Sequence, residues 1–359
     1  MNELDTKSPD KLMKENFISS LHDRKTCLVF LSNSKGMKVG ITNYGARIVS
    51  LCVPDNKEQI SDVVLGYNSI NDYLTSSDPY FGATIGRYAN RIAGGSFWLK
   101  GKKYELDKNE GVNHLHGGSL GFHNVVWDVL NKNKESVSFR YFSRHKESGY
   151  PGNLNVTVSY KLTDEGELII DYSANTDKTT VINLTNHTYF NLSGAGSGSI
   201  GDHRLLLNAD YFTPVNVKMI PTGQVKNVDQ TPFDFTEEKA VGRDWDIENE
   251  QLNIAGGYDH NFILNNAAEG NLKFAARIKD SKSGRSMDVH TTEPGVQFYT
   301  ANALSGEDIG REGLIYKPRT AFCIETQQYP DSPNQSQFSG VVLEPQKEFK
   351  STTTYKFSW

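Results

Sequence analysis

The chain has 359 residues, 38 Lys and Arg against 43 Asp and Glu, and three cysteines. A formal net charge of -5 without a basic block excludes the electrostatic footprint of a nucleic-acid binder. The cysteines at 27, 52 and 323 form neither an even disulfide framework nor a short-spaced zinc motif, and no apolar run reaches membrane-spanning length.

Residues 1–15 read as a loose, charged, flexible tail without the apolar stretch of a signal peptide. With free thiols, this leads to a cytoplasmic expectation. From residue 16 to 359 a single domain is expected, because no linker rich in Pro, Gly or Ser divides the chain. Helical periodicity is scarce and period-two alternation dominates. MKVGITNYG and ARIVSLCV predict a strand pair, and SVSFRYFS (136–143) a further strand. VTVSYKL (156–162) and ELIIDYSA (167–174) flank the turn signal TDEG and predict a hairpin. NLSGAGSGSIGDH (191–203) reads as a loop, and 232–256 as a polar, acidic excursion. HRLLLNA, HNFILN, KFAARI, SMDVHTT, VQFYTA and TAFCIET carry the strand pattern to residue 326. Thirty-one glycines and abundant aromatics suit closely turned strands with half-buried faces. The predicted class is all-β, with stacked sheets around one long core.

Several polar residues stand where this pattern does not require them. Glu325 follows the apolar run AFCI, and carboxylates are rarely buried without a reason. It either faces water at a sheet edge or meets a polar partner. TIGRYANRIAGG carries Arg87 and Arg91, planar forks fit for bidentate hydrogen bonds; for Arg87 a structural role is favoured. In GVNHLHGG, His114 and His116 are two residues apart. Such a pair can begin a zinc site, but no third ligand has a diagnostic spacing, so no metal is expected. INLTNHTYFNLSG surrounds His187 with hydrogen-bonding groups and with Tyr189 and Phe190. Asp259 in GGYDHNFIL is either a turn cap or a ligand-binding carboxylate. Gln297 lies on an otherwise apolar strand and must be paired, with a sugar hydroxyl or with backbone. The absence of G-x-S-x-G, a P-loop and a dinucleotide fingerprint disfavours esterase, kinase and dehydrogenase chemistry.

Together, SDVVLGY, YFGATIGRYANRIAGG, NHLHGG followed by GFHNVVW, GYPGNLNVTVSY, LTNHTYFNL, IPTGQV, DHNF, PGVQFYTAN, ETQQYPDSPNQ and the closing TTTYKFSW make the chain resemble the aldose 1-epimerase, or galactose mutarotase, family. The resemblance implies a β-supersandwich of large, mostly antiparallel sheets. It also implies interconversion of the anomers of free aldohexoses such as galactose and glucose, without a cofactor. By matching motifs, Glu325 corresponds to the general base and His187 to the general acid. Asn90, Arg91, His116, Asp259 and Gln297 correspond to sugar-binding positions, and Tyr189 lies in a cleft-lining motif. Full burial would raise the pKa of Glu325, so a partly open cleft with donors close by is expected. Tyr88, the pair Gln328–Tyr329 and the insertion-like IENEQLNIAGG depart from the family pattern and bear on sugar preference. The expected partner is a monosaccharide, with no nucleic acid and no membrane. The expected state is a monomer, with a weak dimer as the alternative. A hexose 6-phosphate epimerase and a non-catalytic sugar-binding protein on the same scaffold are the rival readings.

Overall fold

A computed structural model describes residues 12–21, 23–265, 270–338 and 340–359. Its architecture is that of antiparallel sheets. The largest sheet has nine strands, in the order Asp128–Lys132, Ser136–Ser143, Leu154–Leu162, Glu167–Thr176, Glu348–Ser358, Ser286–Thr291, Lys273–Lys279, Arg204–Leu207 and Lys239–Ala240. The hairpin expected around TDEG lies inside it, with Leu162 paired to Leu168. A four-stranded sheet contains the pair expected near the start, Lys38–Thr42 against Arg47–Pro54.

Alternation decides what each strand buries. Along Leu154–Leu162, Leu154, Val156, Val158, Tyr160 and Leu162 point into the core, while Asn155 and Lys161 face water. The same cluster takes Leu31, Val39, Ile41 and Leu51 from the four-stranded sheet, and Phe262, Phe298 and Ile324 from a five-stranded one. One apolar core thus joins all three sheets. Fully burying each side chain of this size stabilises the fold by roughly 1.5–3 kcal/mol.

Among the described residues, the only α-helices are two of six residues each, Ile70–Thr75 and Glu250–Ala255. The second corrects the reading of 232–256 as a simple polar excursion. No helix among the described residues is long and apolar enough to cross a membrane. Of the expected tail, residues 1–11 lie outside the described residues. Leu12 is buried in a cluster with Phe17, and Lys14–Phe17 form a 3-10 turn, so residues 12–15 of the expected tail belong to a packed segment.

The five-stranded sheet positions the chemistry. Its order is Lys226–Asn227, Tyr211–Thr213, Asp259–Ile263, Gly295–Tyr299 and Cys323–Gln327. Across it, Asp259 pairs with Tyr299, Asn261 with Gln297, and Gln297 with Glu325. Phe262, Phe298 and Ile324 point to the core, which leaves Asp259, Gln297, Tyr299, Cys323, Glu325 and Gln327 to the opposite face.

Candidate active site

Above that polar face is a cavity of about 460 Å³, within the usual range for small-molecule sites. Three loop segments bring its other walls onto the sheet. Thr185–Asn186 pairs with Thr84–Ile85, and Phe190 exchanges backbone hydrogen bonds with Phe322. These ladders hold His187 against the strand carrying Cys323 and Glu325. The HLHGG turn packs against GATIGRYANR. His116 donates its backbone N–H to the Asn90 carbonyl at 3.1 Å, and His116 Nδ1 accepts the Asn90 N–H at 3.1 Å. Gly117 has φ +84°, and a Cβ there would lie 1.8 Å from the Gly86 carbonyl oxygen, so this approach needs glycine. At the end of ETQQYPD, Asp331 donates its N–H to the Arg91 carbonyl at 2.8 Å, and its Oδ1 accepts the Ala93 N–H at 2.9 Å. One motif therefore anchors both Glu325 and the Arg91 segment.

Glu325, His187, Asn90, Arg91, His116, Tyr189 and Asp259 all line the cavity. Glu325 Oε1 and His187 Nε2 are 3.7 Å apart. Both side chains are buried, and Glu325 Oε2 has no hydrogen-bond partner among the described residues. A partly open cleft with donors close by was expected; the carboxyl itself is only 2% exposed, and its Oε2 has no donor beside it among the described residues. Burial first, then the negative charge of Asp259, push its pKa well above the carboxylate range, and Arg91 only partly opposes them. Burial also lowers His187 to about 4. Both shifts favour the uncharged forms, a protonated carboxyl beside a neutral imidazole. The two groups stand so close that this proton belongs to the pair rather than to either residue.

Arg91 is gripped by a carboxylate that sequence reasoning missed. Its Nε donates to both oxygens of Glu110, at 3.0 and 2.9 Å, and its Nη1 lies 4.0 Å from Asp259 Oδ2. Gln297 does not line the cavity. Its Nε2 donates to Asp259 Oδ1 at 2.6 Å, and its Oε1 accepts from Gln327 at 3.3 Å. Gln297 thus holds Asp259, another of the expected sugar-binding residues. Tyr189 donates its hydroxyl to Asp78 and stacks on Phe81, with ring centroids 4.4 Å apart.

Tyr80, Asp78 and Asn302 also line the cavity and were not singled out in the sequence. Tyr80 packs against His116 and His187, at centroid distances of 4.7 and 5.7 Å. It lies within the YFGATIG stretch, but only tertiary packing shows its contacts. His114 is a satisfied structural histidine: its Nε2 meets the Tyr150 hydroxyl at 2.7 Å. Arg87 is likewise structural, donating to the carbonyls of Pro151 and Gly152 at 2.8 and 2.9 Å. Of the departures from the family pattern, Tyr88 and Tyr329 lie outside the cavity lining and meet each other, Tyr88 donating its hydroxyl to the Tyr329 carbonyl at 3.0 Å. IENEQLNIAGG forms the short helix before Asp259 and puts Ile254, Ala255 and Gly256 on the cavity wall.

Ligand atoms of His116, His187 and Glu325 lie within 4.8 Å of one another, a donor set that could suit zinc. The hydrogen bonding argues against that fit. His116 Nδ1 spends its lone pair on the Asn90 N–H, so the neutral ring carries its proton on Nε2 and offers the cavity a donor.

A mostly antiparallel β scaffold with a carboxyl and an imidazole meeting in one polar cavity matches the aldose epimerase class of enzymes. The chain belongs to the aldose 1-epimerase family, whose sequence profile matches residues 28–356. It is 45% identical to the galactose mutarotase of Bos taurus over 331 residues, 92% of this chain and 93% of that protein. It is 36% identical to the aldose 1-epimerase of Escherichia coli K12, over 92% of this chain and 94% of that one. The crystal structure of a GalM/aldose epimerase homologue from C. elegans superposes with a TM-score of 0.83 at 29% identity, covering 93% of this chain and 99% of that one. A galactose 1-epimerase from Lactobacillus acidophilus gives 0.82 at 29% identity, covering 95% and 96%.

Proposed function

We propose that the protein interconverts the α and β anomers of free aldohexoses, D-galactose and D-glucose among them, by general acid–base ring opening. The observation that carries this reading is the approach of Glu325 Oε1 and His187 Nε2 to 3.7 Å in a single cavity. Glu325 takes the proton of the C1 hydroxyl while His187 protonates the ring oxygen O5. The C1–O5 bond breaks to give the open aldehyde. Rotation about C1–C2 turns the other carbonyl face, and closure returns both protons. The reacting form is the carboxylate–imidazolium pair, which holds the same single proton as the neutral resting pair. A bound sugar supports the change by bringing hydroxyl donors to the unpartnered Oε2. His116 presents an N–H donor to the cavity, and Arg91 and Asp259 offer hydrogen bonds to the sugar's hydroxyls.

The reading needs no metal or cofactor, and the state of His116 supports it. Dialysis against a chelator should leave the rate unchanged; loss restored by added zinc would overturn this part. We further propose a cytoplasmic monomer, consistent with three cysteines joined by no disulfide. Sedimentation and cell fractionation test those two points.

Polarimetry on freshly dissolved α-D-galactose tests the chemistry. Glu325→Gln and His187→Asn should each slow mutarotation roughly 10²–10⁴-fold, the range of one positioned proton transfer. Circular dichroism must show both variants folded. A folded variant at the wild-type rate removes that residue from its role.

A further inference from the structure

His187 has two ring nitrogens, and only one of them faces Glu325. The other, Nδ1, lies 3.6 Å from the sulfur of Cys323, within hydrogen-bonding range for sulfur. Both groups are buried, Cys323 completely. The arrangement follows from the strand. Residues 323 and 325 lie two apart on Cys323–Gln327 and therefore share a face, so one strand serves both edges of one imidazole. The thiol itself stays protonated and uncharged, because burial and the neighbouring Glu325 push its pKa well up.

We propose that Cys323 is a positioning residue for His187: its sulfur accepts the Nδ1 N–H, fixes the ring plane, and leaves Nε2 as the nitrogen that gains and releases the catalytic proton. This rests on the reading of His187 as the general acid. A ring turned over would present Nδ1 to the sugar and separate its proton from Glu325. A ring free to exchange tautomers would spend part of its time in a form whose Nε2 cannot take the proton held by Glu325. Cys323 suppresses both without adding a charge to a cavity already rich in carboxyl groups.

The test pairs kinetics with nitrogen-15 NMR of the histidine side chains, His187 being assigned by its loss in His187→Asn. The wild-type ring should show a protonated Nδ1 and an unprotonated Nε2. In Cys323→Ala both shifts should move toward a tautomer average, and kcat should fall roughly three- to tenfold, as expected for one modest hydrogen bond. KM should stay within about twofold, since Cys323 does not line the cavity. Cys323→Ser, close in shape and able to accept the N–H, should restore the shifts and most of kcat. The proposal is overturned if Cys323→Ala keeps both the wild-type shifts and kcat. It is also overturned if Ala and Ser variants lose kcat equally while the shifts stay fixed, which would mark a packing effect alone. Full mutarotation in His187→Asn would end the acid reading itself, a failure seen without altering Cys323.

Discussion

Glu325 and His187 share one proton, and that fixes the pH behaviour expected of the free enzyme. Below the depressed value of His187, about 4, a second proton joins the pair and the carboxyl can no longer act as base. Above the raised value of Glu325 the last proton leaves and no acid remains. kcat/KM should therefore show its acid limb near 4 rather than near the ordinary histidine value of about 6.5. An acid limb at 6.5 would show that His187 is solvated when the sugar arrives. Gln297 gives a second residue-scale test. If it acts through Asp259, Gln297→Leu should raise KM roughly five- to tenfold with little change in kcat, and should add almost nothing to Asp259→Asn in a double-mutant cycle. Full additivity would mean that Gln297 touches the sugar independently. The sequence could place Gln297 on a strand and require it to be paired, but the partner sits on the neighbouring strand at a register that alternation does not reveal. Glu110 was illegible for a similar reason, since its grip on Arg91 crosses from one loop to another.

At the scale of elements, strands were far more legible than the short helix that closes the cavity wall. A strand such as Ser136–Ser143 announces itself within eight residues, because period two repeats four times in that length. Glu250–Ala255 has six residues, too few for a 3.6-residue period to repeat convincingly. Its signals are local instead. Asn249 accepts the N–H groups of Gln251 and Leu252 at 2.9 and 3.4 Å, and Gly256 ends the helix at φ 68°. Gln251 then clamps Val215, accepting its N–H at 2.7 Å and donating to its carbonyl at 2.9 Å. This ties the helix to the turn that carries Met219, and both line the cavity. Asn249→Ala should cost about 1 kcal/mol in this element. Because the element forms wall rather than chemistry, KM should rise while kcat for bound sugar stays near the wild-type value. A selective fall in kcat would place the helix in the proton-transfer machinery instead.

For the whole molecule, the modest net charge of -5 conceals a local imbalance. Among the described residues, the cavity lining contains four acidic side chains, Asp78, Glu110, Asp259 and Glu325, against one guanidinium, Arg91. That guanidinium is already held by Glu110. Burial raises the pKa values of Asp78, Asp259 and Glu325 from their ordinary range. An incoming phosphate dianion would meet those groups without an uncommitted cation in that lining to receive it. At an effective dielectric near 20, two like unit charges 8 Å apart repel by about 2 kcal/mol. Glucose 6-phosphate should therefore be turned over with kcat/KM on the order of 10²-fold below glucose. The gap should narrow as salt rises, because the Debye length falls to about 8 Å at physiological ionic strength and shorter beyond it. Side-by-side polarimetry of the two sugars at low and high salt makes the comparison. Equal rates, or a preference for the phosphate, would reverse the assignment of the cavity to neutral aldoses and restore the sugar-phosphate epimerase as its function.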